Sequence, residues 1–271
     1  MRSRKSLRKV YSFSLPKKIL FGIGISEKVG LEAKELGGKN VLLVTDKNLE
    51  TIGIPKKIED YLIKEDLNVD IFSNVEAEPS LEVAEAVAEA ARNKGYDVVV
   101  GCGGGSVLDM AKIAAMAATN PGHMKNYVGV NLVKKPSLPK ILLPTTAGTG
   151  SEVTNIAVVT LTEDEIKSAI ISPKILGDIA MVDPSLTFGM PPVLTASTGL
   201  DALSHSLEAL MSIDANSITD SLALQALSLI FSNLLEAYKS GNVESRVNMS
   251  LGSLMAGMAF GNAGVCLGHA V

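Results

Sequence analysis

The chain has 271 residues, 46% of them hydrophobic and 20% charged, enough for one large domain or two ordinary ones around a substantial core. A net charge of −4 and an aromatic content of 4% without tryptophan argue against a nucleic-acid partner across most of the surface. Two widely separated cysteines, Cys102 and Cys266, build neither a disulfide framework nor a metal knuckle and imply a reducing, cytoplasmic setting.

The chain starts with a basic cluster, Arg2, Arg4, Lys5, Arg8 and Lys9, which reads as a solvated tail. Lys17 and Lys18 break any apolar signal-peptide core after it. Short β-branched runs then come in order: "KILFG" from 18, "NVLLVTD" from 40, "NVDIF" from 68, "DVVVG" from 97 and "KILLP" from 140. Between them, "SEKVGLEAKELG", "IPKKIEDYLIKE", "SLEVAEAVAEAARNKG" and "SVLDMAKIAAMAATN" carry helical periodicity, with Ser80 as an N-cap and Gly95 as a stop. Such alternation predicts an α/β fold with a mostly parallel sheet and helices on both faces.

After Pro191 and Pro192 the periodic segments, 193–211, 216–239 and 243–260, are all helical. The organisation expected is an α/β domain over 1–187 and then an all-helical domain over 188–271. No charge lies beyond Arg246, yet glycines and polar residues interrupt that stretch too often for a membrane span. Its "GMAFG" is a small-xxx-small pattern, expected to pack closely inside a soluble protein.

Three stretches carry chemistry. "DVVVGCGGGSVLDMAK" runs from a strand through Gly101, Gly103, Gly104 and Gly105 into a helix near Ser106, a sound phosphate cradle. It is neither G-x-G-x-x-G, since Ser106 takes the third glycine position, nor a P-loop, and a tight turn without ligand is the competing reading. "LPTTAGTGSEVTN" adds hydroxyls from Thr145, Thr146, Thr149 and Ser151 at the end of another strand. Asp46 ends the "VLLVTD" strand, where a carboxylate suits either a ribose diol or a helix N-cap. In "GLDALSHSLEALMS" (199–212), Asp201 and His205 stand four apart beside Glu208, opposite a stripe of Leu200, Leu203, Leu207 and Leu210. They are two ligands of one metal ion or the wet side of an amphipathic helix.

Taken together, "LPKKILFGIG", "VTD", "GGGSVLDMAK", "PTTAGTGSEVTN", "DPSL", "TGLDALSHSLEA" and "FGNAGVCLGHAV" make the chain resemble the iron-containing (group III) alcohol dehydrogenases from about residue 13 onward. The resemblance implies an NAD(P)-dependent oxidoreductase with an α/β nucleotide domain and a helical metal domain. It carries metal ligation to Asp201, His205 and His269. Nucleotide binding falls to Asp46, Gly103, Gly104, Gly105, Ser106, Asp109, Thr145, Thr146, Thr149 and Lys167.

Two departures qualify it. "LGDIAMVD" has Gly177 and Asp178 where the family often has Pro, which reads as a tolerated turn change. The chain also stops at Val271, before the family's downstream fourth histidine ligand, so a helical domain incomplete at its C-terminus is expected. His123 reads as a surface-loop residue and Glu208 as a surface carboxylate.

The metal implied is Fe²⁺ or Zn²⁺, with three protein ligands favouring zinc or an empty site, and the nucleotide is NAD ahead of NADP because of Asp46. The expected reaction is reversible hydride transfer between a small alcohol or aldehyde and nicotinamide, in a homo-oligomer with no nucleic-acid or membrane partner. Two further readings stand beside it: a truncated, nucleotide-binding fragment without turnover, and a glycerol or polyol dehydrogenase. The first would leave apolar faces of 216–239 and 243–260 uncovered.

Overall fold

Alternation of strand and helix persists in the computed structural model, which describes residues 10–162 and 166–270; the basic cluster from Arg2 to Lys9 lies outside them. The elements are β1 (Lys18–Phe21), α1 (Val29–Glu35), β2 (Asn40–Val44), α2 (Lys47–Thr51), α3 (Ile54–Ile63), β3 (Asn68–Phe72), α4 (Leu81–Asn93), β4 (Val98–Gly103), α5 (Gly105–Ala117) and β5 (Gly129–Val130). They continue through β6 (Lys140–Pro144), β7 (Ile156–Leu161), β8 (Ile166–Ile171), β9 (Ile179–Val182), α6 (Pro192–Met211), α7 (Ser217–Lys239), α8 (Val243–Ala263) and α9 (Leu267–Ala270). Ser80 caps α4 by accepting from Val83 N, as its position predicts.

The main sheet has six strands in the order β1-β9-β6-β4-β2-β3, and every pairing in it is parallel. Two apolar clusters cover its faces. One is centred on Val99, Leu142 and α5, the other on Val98, Val100 and Ile141 with α1 and α3. The sequence reading missed α2 and the small sheet β5-β8-β7, in which β7 and β8 pair antiparallel. β7 does carry a short apolar run, 156–159, but β8 opens on the exposed Ile166 and Lys167, so no matching pair of apolar runs announces the hairpin.

At the carboxyl end of β9, Asp183 accepts hydrogen bonds from Gly24 N, Ser26 N, Ser26 Oγ and Ser185 N, tying the "DPSL" turn to the loop after β1. Asp178 is more than a tolerated change. It accepts from Lys140 N at 3.0 Å and from Lys17 Nζ at 2.7 Å, and so fastens β6 to the strand's start.

The face of α5 toward the small sheet buries a lysine completely. Lys112 Nζ donates to Ile156 O at 2.6 Å, Ser151 Oγ at 2.7 Å, Asp109 Oδ1 at 3.2 Å and Thr154 Oγ1 at 3.3 Å. Burial pushes this ammonium below the usual lysine range, against the pull of Asp109. Beside it, burial pushes the Glu152 carboxyl up to about 7 despite Lys112.

The helices α6, α7 and α8 pack on one another, and α8 also packs on the 151–153 turn. The "GMAFG" glycines are spent on that approach. A Cβ at Gly257 would stand 2.8 Å from Gly150 Cα and 2.8 Å from Val153 Cγ2, and one at Gly261 3.1 Å from Thr154 Cγ2. Arg246 joins the starts of α8 and α6 through Thr195 Oγ1 and Met190 O, at 2.7 and 2.9 Å. The apolar face expected to lie open on 243–260 is therefore covered, because the 150–154 turn seats on it.

The face of α7 is open, with Phe231 76% and Leu235 62% exposed. By length and composition α7 is the one helix among the described residues that suits a bilayer. The stretch after Arg246, too interrupted for a span, forms the well-buried end of α8, as its sequence predicts.

Gly257→Val should destabilise the chain by about 1–3 kcal/mol in urea unfolding through overpacking against Gly150. Because folding raises the Glu152 pKa, its contribution is full below the ordinary glutamate value of 4.5 and lost as pH rises through 7. The variant Glu152→Gln should thus gain on the wild type by up to about 3 kcal/mol between pH 5 and 8; parallel curves across that window would refute it. Cys102 is fully buried and its thiol pushed up to about 12, so thiol reagents at neutral pH should label Cys266 in the native chain and Cys102 only after unfolding.

Candidate functional site

The strand order of the main sheet reverses between β2 and β4, because the chain leaves β2 toward β3 and returns past it to β4. In open parallel sheets the carboxyl ends at such a reversal hold nucleotides. Asp46 lies just beyond β2 there, and the glycine run just beyond β4. Asp46 is a helix cap in this structure, its Oδ1 accepting from Asn48 N at 2.9 Å and Leu49 N at 3.0 Å.

Gly103 ends β4, Gly104 is the N-cap of α5 and Gly105 opens it, so backbone N–H groups at the start of α5 point outward. Steric room explains the glycines. A Cβ at Gly103 would lie 2.5 Å from Val107 Cβ, and one at Gly105 2.6 Å from Thr149 Cγ2. The second loop therefore presses on the first, with Thr146 and Thr149 part-exposed beside Gly104 and Gly105. Thr145 is buried, and its N–H donates to Gly103 O at 2.9 Å.

Lys167, on β8, reaches the same place. Its Nζ pairs with Glu78 Oε1 at 2.7 Å, and Glu78 N donates to Ser106 Oγ at 3.3 Å. Asp109 is not gathered with them. It is buried and committed to Lys112, to Ser151 Oγ at 2.6 Å and to Val158 N at 3.0 Å.

From this loop the path to α6 is short. Ala147 packs in one cluster with Ala202, and a Cβ at Gly148 would strike Thr198 Cβ at 2.6 Å. On α6, Asp201 and His205 share a face, and α9 brings His269 to them. One donor atom from each of the three lies within 4.8 Å of the others. His269 Nε2 stands 3.3 Å, and His205 Nδ1 3.8 Å, from Asp201 Oδ1.

His205 is clamped between the rings of Phe260 and His269, with centroids 4.0 and 4.2 Å away and planes near parallel. Its Nδ1 is buried with no hydrogen-bond partner. An orphaned buried nitrogen grouped within 4.8 Å of a carboxylate oxygen and a second imidazole nitrogen fits a divalent cation with mixed N and O ligands. Burial holds His205 below the usual histidine range against the pull of Asp201, favouring the neutral ring that ligates. Around His269, burial opposes the charged form, but Glu208 and Asp201 outweigh it and raise the pKa.

The packing of α6 reverses the expected polarity. Leu200 and Leu207 are exposed, whereas Ala202, His205, Ser206, Glu208 and Ala209 are buried. Small side chains let α6 approach α7 and α8 closely; Leu200 and Leu207 are left outside, while Leu203 and Leu210 pack at the edge of the helical core. Glu208, expected on the surface, instead accepts from Cys266 N and contacts His269 Nδ1 at 2.6 Å. Only the i, i+3 step from His205 hinted at this. His123 does lie at the surface, against Glu85 at 2.7 Å.

Comparison with known proteins identifies a family along most of the chain. The family model for iron-containing alcohol dehydrogenase matches residues 16–184, and the one for the C-terminal part of that family matches 195–271. Sulfoacetaldehyde reductase from Bilophila wadsworthia is 41% identical over 94% of this chain and 66% of its own length. The chain spans about two thirds of the length of the curated relatives it matches.

A crystal structure of 1,3-propanediol oxidoreductase superposes with a TM-score of 0.92 at 40% identity, covering 95% of this chain and 68% of that one. Sulfoacetaldehyde reductase from Bifidobacterium kashiwanohense, solved in complex with NAD+, gives 0.89 at 34% identity, covering 97% and 70%. Matched along both the sheet-bearing part and the helical bundle, the chain belongs to the iron-containing alcohol dehydrogenase family.

Proposed function

We propose that this chain carries the nucleotide and metal sites of an alcohol dehydrogenase, one that moves hydride reversibly between a small alcohol or aldehyde and the nicotinamide of NAD. The observation that carries the reading is the convergence of Asp201, His205 and His269 around an orphaned buried nitrogen. The 1–187 part would bind the dinucleotide and the 188–271 part the metal.

Asp201, His205 and His269 would hold Fe²⁺ or Zn²⁺. The bound ion supplies Lewis acidity toward the substrate oxygen. The remaining work belongs to the protein. Backbone N–H groups at Gly104–Ser106 and the hydroxyls of Thr146 and Thr149 receive the pyrophosphate. Asp46, held by its own cap bonds, accepts from a ribose diol and repels an added 2′-phosphate, which favours NAD over NADP. The Ala147–Gly148 backbone, lying on α6, fixes the distance between nucleotide and metal ligands. A cytoplasmic homo-oligomer without nucleic-acid or membrane partners belongs to the same reading: the net charge of −4 speaks against nucleic acid, and a second copy would cover the open apolar face of α7.

A second reading, nucleotide binding without turnover, is favoured by the cluster's three donor residues, where a four-ligand site would hold its ion more firmly. One assay separates the two. The chain is incubated with Zn²⁺ or Fe²⁺, NAD⁺ and short alcohols, and NADH absorbance is monitored. The dehydrogenase reading expects turnover that falls at least about 100-fold in Asp201→Asn, with NAD⁺ affinity held within about 3-fold. Saturable NAD⁺ binding with no NADH under either metal would establish the second reading instead.

A further inference from the structure

Glu208 lies one helical turn beyond His205 on the inward face of α6 and is only 5% exposed. A carboxylate so placed needs donors, and the segment carrying His269 supplies two. Cys266 N–H donates to Oε2 at 2.5 Å, and His269 Nδ1 meets Oε1 at 2.6 Å. The fit leaves no room at the residue between them: a Cβ at Gly268 would sit 2.5 Å from Oε1. With Nδ1–H donating to Glu208, the nitrogen left for ligation is Nε2, which lies 3.3 Å from Asp201 Oδ1.

Resting on the metal reading above, we propose that Glu208 is the positioning carboxylate of this centre, fixing the His269 tautomer and aiming Nε2 at the point shared with Asp201 and His205. A metal-binding histidine must present an unprotonated nitrogen, and the hydrogen bond made by its other nitrogen decides which one that is. Without Glu208 the ring is free to carry its proton on Nε2, where it blocks ligation. Cys266 N–H locks the carboxylate's second oxygen, so the direction of the first is set by backbone and not by a mobile side chain. Glu208 touches neither substrate nor ion in this scheme.

The test uses the full chain as wild type, Glu208→Ala and Glu208→Gln. Circular dichroism verifies folding, nitrogen NMR of the Zn²⁺-loaded chain reads which His269 nitrogen carries the proton, and competition with a chromophoric chelator gives Zn²⁺ affinity. The wild type should carry its proton on Nδ1 and bind Zn²⁺. Glu208→Ala should move the proton to Nε2 and weaken Zn²⁺ binding about 10- to 100-fold. Glu208→Gln can accept only one of the two hydrogens and should fall between, a graded rescue that loss of packing alone does not produce. Should Glu208→Ala fail to fold, Glu208→Gln decides alone. Folded variants that bind Zn²⁺ as tightly as the wild type, or a wild-type His269 protonated on Nε2, overturn the proposal. A wild type that binds no Zn²⁺ overturns the metal reading and this inference together.

Discussion

The ammonium of Lys112 is the joint on which the rest of the molecule turns. It sits without solvent contact on α5 and is satisfied by Asp109, by two hydroxyls of the 151–154 turn and by the carbonyl of Ile156 at the start of β7. A buried charge of this kind adds little net stability. Removing one partner, however, leaves an uncompensated ion and costs about 3–5 kcal/mol, so the arrangement is discriminating. Because the same turn carries Gly150, against which Gly257 of α8 packs, the bond that fastens α5 to the small sheet also sets where the helical bundle lies.

The nucleotide loops are shaped by contact as much as by flexibility. Gly103 and Gly105 lack side chains because Val107 and Thr149 already occupy the space. The threonine-rich loop thereby comes to rest on the glycine run, and its next residues rest on α6. One continuous packed path joins Gly105, Thr149, Gly148 and Thr198, so the phosphate cradle and the Asp201–His205 face are positioned by neighbouring contacts along a single loop.

Much of this was legible from the chain alone. Alternating strands and helices, the Ser80 cap and the spans of α6, α7 and α8 come from periodicity and capping, which are local properties. The hairpin of β7 and β8 was not, because the apolar run of β7, 156–159, is short and β8 opens on exposed residues, so their pairing has no local pattern. On α6 the period was right, but the buried side is rotated toward the small residues, leaving Leu200 and Leu207 exposed and Leu203 and Leu210 at its edge. Leucines outweigh alanines in any hydrophobicity sum, but close helix approach selects the small face. Glu208 was hidden for a related reason. Its partners Cys266 and His269 lie 58 and 61 residues downstream, and no local pattern carries that pairing. Asp109 is the converse case, a motif residue whose carboxylate bonds to Lys112, Ser151 and Val158, partners that its motif does not announce.

The ring stack around His205 has a thermodynamic consequence. Phe260 on one side and His269 on the other hold the imidazole plane, so its side-chain rotamer is chosen when the bundle assembles. Fixing a side chain forfeits conformational entropy of up to about 2 kcal/mol. Here that loss is taken during folding, and an arriving guest meets a preorganised nitrogen.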